Sequence, residues 1–166
     1  MKTNKEYSKE TGFAPVYNTN SKILILGSFP SVKSREISFY YGHKQNRFWP
    51  TLCDYFNEPI PQSVESKKEF LLRNGIALWD IATTCEIIGS SDASIKNVEV
   101  ADLDEILRGA NIQKIFLNGT LAYQLFLRKY AQIDIPYVKL TSTSPANPRF
   151  SPQPWKEELN AIFRLY

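Results

Sequence analysis

Histidine and methionine each occur once in the 166 residues, and cysteine twice. Cys53 and Cys85 cannot form a disulfide framework. Together with His43 they fall short of a four-ligand zinc or iron–sulfur set. A lone histidine also leaves an ordinary Ser-His-Asp triad without its partners. No Gly-x-x-x-x-Gly-Lys-Ser/Thr loop and no Gly-x-Gly-x-x-Gly motif occurs, so neither a P-loop nor a dinucleotide site is expected. The longest apolar runs, Ile23–Leu26 and Ile76–Trp79, are far shorter than the ~20 residues that cross a bilayer. The polar start, Met1–Glu10, lacks the apolar core and cleavage site of a secretory leader. These absences predict no metal, no cofactor, no membrane and a reducing, cytoplasmic setting.

What is present is globular. Hydrophobic residues make up 43% of the chain, aromatic 13% and charged 22%, and the length suits one domain over 1–166 with residues 1–20 as an arm packed on or flanking the core. The formal charge of +3 does not by itself identify a partner. Its distribution is uneven: Lys33, Arg35, Lys44 and Arg47 are opposed only by Glu36, whereas Glu99–Glu105 holds acids and no base. A basic stretch of this kind could face phosphates or be an ordinary solvated surface.

Lys22–Gly27, Ile76–Asp80 and Lys114–Asn118 are short apolar runs typical of strands buried on both faces, and Tyr137–Leu140 is a weaker fourth. Helical spacing marks Asn46–Phe56, Val64–Arg73, Ala101–Arg108, Leu121–Tyr130 and Pro154–Arg164 between and after them. The alternation predicts an α/β fold with a mainly parallel sheet covered on both faces. Ligands of such sheets bind beyond the carboxyl ends of the strands. The loops there begin at Gly27–Ser31, Asp80–Thr83, Asn118–Thr120 and Thr141–Asn147, and all are rich in small or polar residues. Singly, each also reads as an ordinary turn or cap. The segment Tyr40–Trp49 adds aromatics, amides and positive charge, groups that can stack a planar base or orient a water without a metal.

The strings ILGSFPSVKS, YYGHKQNRFW, GIALWDI, IFLNG and TSTSPAN, in this order, resemble the uracil-DNA glycosylase superfamily, and most of all its hypoxanthine (deoxyinosine) branch. The resemblance implies a three-layer α/β/α sandwich around a four-stranded parallel sheet. It also implies metal-free hydrolysis of a base–sugar bond in DNA. Phe29 stands where better-known members carry a water-handling acid or amide, and Ser142 where they carry a catalytic histidine. The deoxyinosine branch shares both losses, and its catalytic asparagine matches Asn46. The resemblance makes Tyr41 the aromatic that stacks on a flipped base, with a core tyrosine as the plain alternative. Asn46 would hold the water, or else cap the following helix.

Asp80 sits where relatives read the base. A carboxylate accepts hydrogen bonds, so it would favour the N1–H of hypoxanthine or the N3–H of uracil over the acceptor N1 of adenine. Capping the next turn is its alternative. Backbone N–H groups of Gly27, Ser28 and Phe29 would meet the base's exocyclic oxygen. Ser142, Thr143, Ser144, Pro145, Ala146 and Asn147 would enter the minor groove, gripping phosphate and filling the vacated stack. Asn118 and Gly119 would place a phosphate at a helix N-terminus. Arg149 and His43 are candidate phosphate contacts, and Ser90–Ser94 a lid or strand contact. The expected substrate is double- or single-stranded DNA carrying a deaminated base, cleaved by a monomer to an abasic site. A uracil- or thymine-mismatch enzyme and a non-catalytic nucleic-acid binder are the rival readings.

Overall fold

The computed structural model describes residues 6–166, so the first five residues of the predicted arm lie outside the described residues. A four-stranded parallel sheet organises the rest. Its order is β3 (Ile76–Asp80), β2 (Ile23–Gly27), β6 (Lys114–Asn118), β7 (Tyr137–Leu140). Every residue of β2 is buried, which is why its sequence is a continuous apolar run rather than an alternation.

Alternate side chains of these strands feed two separate cores. Ile23, Ile25, Ile76, Leu78 and Phe116 pack on one face with Trp49, Leu52, Phe70 and Trp155. Those partners come from α2 (Phe48–Phe56), α3 (Val64–Arg73) and α6 (Pro152–Phe163). Leu24, Leu26, Ala77, Ile115 and Leu117 pack on the other face with Ile106, Ala122, Leu125 and Phe126. Those come from α4 (Asp104–Gly109) and α5 (Thr120–Tyr130). The result is the expected α/β/α sandwich. The helix ends shift by a few residues: α2 starts at Phe48 rather than Asn46, and α4 at Asp104 rather than Ala101, whose N–H is taken by the Ile81 carbonyl at 2.7 Å.

Three strands escaped the sequence reading. β1 (Ser8–Thr11), β4 (Ala82–Ile87) and β5 (Lys96–Val100) form a second, antiparallel sheet in the order β1-β4-β5. Residues 82–83, read as part of a strand-to-helix loop, instead begin β4 one residue after β3 ends. The arm is therefore part strand, and its continuation is pinned to the core. The Tyr40 hydroxyl donates to the Ala14 carbonyl (2.9 Å), Trp79 Nε1 donates to the Phe13 carbonyl (2.9 Å), and Val16 bridges Leu78. A short helix, α1 (Val32–Ile37), follows β2 and is capped by Ser31, whose hydroxyl accepts the Ser34 N–H.

Phe116 lies fully buried at the middle of β6. Phe116→Ala should lower unfolding stability by about 3–5 kcal/mol, read by urea titration with an unchanged m-value.

Candidate active site

The carboxyl ends of the parallel strands open into a cavity of about 1060 Å³. Its wall includes Gly27, Ser28 and Phe29 at the end of β2, Asp80 at the end of β3, Asn118 and Gly119 at the end of β6, and Ser142–Asn147 after β7. Tyr41 and Asn46, from the segment between α1 and α2, complete it, so the expected catalytic, base-binding and DNA-binding residues all line this one cavity, while Ser94 of the expected Ser90–Ser94 contact does not. Ser90–Ala93, the turn between β4 and β5, reach its rim together with His43 and Arg149. Lining residues that the sequence reading passed over include Ser34, Gln124 and Lys139.

Register places the floor. Gly27 pairs with Asp80 at the last rung of the β2–β3 ladder. A Cβ on Gly27 would lie 2.4 Å from Asp80 Oδ1 and 2.7 Å from the Tyr41 hydroxyl oxygen, distances no real Cβ tolerates. Glycine is thus required for these two side chains to converge. Asp80 caps no helix, because β4 follows it, and its Oδ2 is buried without a hydrogen-bond partner. Burial pushes its carboxyl up to about 7. The acid expected to be an acceptor is therefore harder to ionise than an exposed carboxyl.

Tyr41 adopts a positive φ of 54°, a conformation that aromatic residues seldom take. Its ring stacks on Phe48 with centroids 4.1 Å apart, and its hydroxyl is buried and unpartnered. Burial first, and then the Asp80 carboxylate, raise its pKa, while the Asn118 amide lowers it; the raising causes are the larger, so the phenol keeps its proton. Asn46 Oδ1 accepts the Phe48 N–H at 2.9 Å. The asparagine does sit at the start of a helix, and the bond holds its amide at the cavity wall.

The last loop is built from its own polar groups. Ser142 Oγ accepts the Ser144 N–H (3.2 Å), Ser144 Oγ accepts the Ala146 N–H (3.2 Å), and Asn147 Nδ2 donates to the Ser142 carbonyl (2.9 Å). Asn118 clamps it from below: its Nδ2 donates to Thr143 Oγ1 and its Oδ1 accepts the Thr143 N–H, both at 3.0 Å. Both members of this clamp are buried. The Asn118 side chain thus holds the loop from the end of β6.

Arg47 departs further from expectation. Its Nη2 donates to the carbonyls of Ser144 (2.5 Å) and Asn147 (2.7 Å), and its backbone N–H donates to the Thr143 carbonyl (3.0 Å). The guanidinium also lies 4.8 Å from the Phe150 ring centroid. Arg35 likewise bonds the Gly89 carbonyl (2.7 Å) and pairs with Glu10 (3.3 Å). Both arginines of the basic stretch are engaged within the fold. The signal that could have revealed this lies in the partners, carbonyls 54 residues away for Arg35 and 100 for Arg47, which spacing along the chain cannot express. Cys53 and Cys85 are buried core residues. Among the described residues no three of His, Cys, Asp and Glu are grouped to hold a metal ion, and no helix is long and apolar enough to cross a membrane.

A parallel sheet covered on both faces, with a polar and aromatic cavity at its carboxyl edge, defines the class: an α/β/α protein whose loops carry the site. Residues 14–164 match the family profile of the Uracil DNA glycosylase superfamily, and the chain belongs to that superfamily. A protein of Methanosarcina barkeri named hypoxanthine DNA glycosylase is 37% identical over 114 residues, spanning 67% of this chain and 72% of the relative. One of the same name from Methanosarcina acetivorans is 34% identical over 157 residues, or 92% of this chain and 97% of the relative. A solution NMR structure from Methanosarcina acetivorans, described as that of a candidate uracil DNA glycosylase, superposes with a TM-score of 0.80 at 31% identity. It covers 95% of this chain and 98% of its own.

Two expectations follow from the geometry. Folded Asp80 holds its proton more tightly than the unfolded chain does. Its contribution to stability is therefore most favourable below about pH 4 and is lost as pH rises through about 7. Asp80→Asn should remove that dependence, with a stability gain over the native protein that grows with pH to about 4 kcal/mol, seen by urea unfolding across pH 4–8. Arg47→Met leaves carbonyls of the last loop without their donor. It should cost about 1–3 kcal/mol and speed hydrogen exchange at the Asn147 amide, which bonds the Ser144 carbonyl.

Proposed function

We propose that the protein is a monofunctional DNA glycosylase that hydrolyses the N-glycosidic bond of a flipped deaminated base, with hypoxanthine preferred, and leaves an abasic site. The observation that carries this reading is the convergence of Asn46, Tyr41, Asp80 and the Ser142–Asn147 loop on one cavity. Relatives named hypoxanthine DNA glycosylase, matched over most of their length, support it. The substrate is double- or single-stranded DNA, and the enzyme acts as a cytoplasmic monomer.

Extruding the nucleotide costs a few kcal/mol, least for an already mispaired base, so lesions are admitted more readily than paired bases. Asn46 Oδ1 has one lone pair fixed by the Phe48 N–H and a second left to hold a water beneath C1′. An amide is too weak a base to take the water's proton early. The C1′–N9 bond therefore breaks well ahead of water attack, and the amide oxygen stabilises the oxocarbenium-like sugar. The base leaves with the former bonding pair, the water oxygen then bonds C1′, and the proton that water sheds passes to bulk water or to the departed base. Backbone N–H groups at Ser28 and Phe29 receive the charge that develops on the base's oxygen.

Asp80 accepts the base's ring N–H. That donor stabilises the ionised carboxylate that burial disfavours. Against adenine the acid meets another acceptor, a mismatch that can cost several kcal/mol. The Ser142 and Ser144 hydroxyls use lone pairs to hold their loop, which leaves each O–H to donate to a phosphate while Pro145 and Ala146 fill the vacated stack.

End-labelled duplexes carrying deoxyinosine, deoxyuridine or neither, incubated in EDTA and then heated in alkali, test the reading. Cleavage at deoxyinosine is expected, falling by about 10²–10³-fold in Asn46→Ala. Faster cleavage at deoxyuridine would replace the preferred lesion. Intact strands on both lesions, with salt-dependent binding retained, would replace the enzyme with a binder.

A further inference from the structure

The roles assigned so far leave the Tyr41 hydroxyl unused. It and Asp80 Oδ2 are buried side-chain atoms with no hydrogen-bond partner. Such atoms are rare in native interiors and call for an account. Both side chains end at the same patch of cavity floor, beside the bare Cα of Gly27. Neither is there by slack packing. Phe48 covers one face of the Tyr41 ring at 4.1 Å, and the backbone holds this tyrosine at a positive φ, a conformation kept only where its surroundings over-determine it. Just beyond Asp80 the N–H groups of Ile81 and Ala82 donate to the Gly27 and Ser28 carbonyls at 2.8 and 3.0 Å, which fixes the backbone that carries the acid.

The phenol is a donor here, because its surroundings oppose loss of the proton. The ionised carboxylate is an acceptor only. Deamination alters a base in the complementary sense. Adenine presents an acceptor at N1 beside an amino donor at C6, whereas hypoxanthine presents N1–H beside a carbonyl oxygen. Cytosine and uracil differ in the same way at N3 and C4. An acceptor and a donor side by side therefore match the product of deamination. They confront the parent base with acceptor against acceptor and donor against donor.

Resting on the glycosylase reading above, we propose that Asp80 and the Tyr41 hydroxyl form one recognition couple for the adjoining N–H and C=O of a deaminated base. Tyr41 is then a specificity-determining residue through its hydroxyl, beyond any stacking by its ring. Gly27 belongs to the couple as the residue whose missing side chain makes room for it.

Tyr41→Phe deletes the hydroxyl and keeps the ring on Phe48. Three readouts are needed: the melting temperature of the empty protein, the single-turnover rate on a deoxyinosine duplex, and inhibition by free hypoxanthine against free adenine. The couple predicts an unchanged or higher melting temperature, since an orphaned buried hydroxyl is removed. It predicts a rate about 10–100-fold lower, and hypoxanthine inhibition weakened by about 10-fold, with adenine inhibition unmoved. Asp80→Asn, whose amide can also donate, should narrow the preference for hypoxanthine over adenine. A Tyr41→Phe protein that cleaves deoxyinosine and binds hypoxanthine like the native one overturns the couple and leaves the glycosylase reading standing. So does one that loses activity only in proportion to a lowered melting temperature. A native protein inactive on every lesion, yet binding hypoxanthine over adenine through the Tyr41 hydroxyl, would overturn the glycosylase reading and keep the couple.

Discussion

The last rung of the β2–β3 ladder sets the terms for the whole site. Gly27 and Asp80 pair there, at the point where a sheet buried on both faces gives way to loops. A carboxyl and a phenol hydroxyl can reach this rung only because Gly27 offers no side chain. The surrounding structure is arranged to keep them there. Asn118 and Thr143 lock the neighbouring strand ends together, Phe48 supports Tyr41, and Ser34 ties α1 to the Tyr41–Gly42 turn through a 2.9 Å bond from the Gly42 N–H. The core supplies the rigidity, and the rung holds polar groups that the fold itself does not satisfy. Leaving such groups unpaired lowers stability, a cost that active sites commonly bear.

Much of this arrangement was legible in the sequence. The apolar runs Ile76–Asp80 and Lys114–Asn118 coincide with strands because a parallel strand covered on both faces reads as a nearly continuous apolar run; Tyr137–Leu140 is the edge strand, with Lys139 exposed, and its signal is correspondingly weaker. Val64–Arg73 coincides with α3, where Ser63 and Ser66 form a capping box. The strand-end loops were readable because a parallel sheet leaves its ligand site nowhere else. The antiparallel sheet was not readable. β1 is SKET and β5 is KNVEV, both largely exposed, and a strand stabilised by pairing rather than burial carries little apolar signal. β4 was hidden for another reason: its Thr83 and Thr84 resemble turn residues until their partners in β1 and β5 are known.

Charge was the least transferable signal. Arg35 and Arg47 lie in a basic stretch, yet each is committed to backbone carbonyls of a distant loop. Arginine suits this task, since its planar fork can satisfy several carbonyls from one side chain. Asn46 and Arg47 are neighbours in the chain, so the residue facing the cavity and the residue gripping the last loop are positioned together. Two parts of the site that lie about 100 residues apart in sequence are thereby held in fixed register.

The floor and the rim of the cavity are likewise continuous. β4 leaves Asp80 almost at once and runs as Ala82–Ile87 to the turn whose residues Ser90–Ala93 stand at the mouth. At roughly 3.3 Å per residue, those six residues form a beam of about 20 Å with the acid at its root. The Ser90 hydroxyl ties its outer end to α1 by accepting the Val32 N–H at 2.8 Å. Its pairing with β5 shifts register between Ala82 and Thr84 and again between Thr84 and Glu86, while its pairing with β1 runs unbroken from Thr84 to Ile87. The distance from the acid to the entrance is therefore spanned by a single strand braced on both edges, rather than by loops alone.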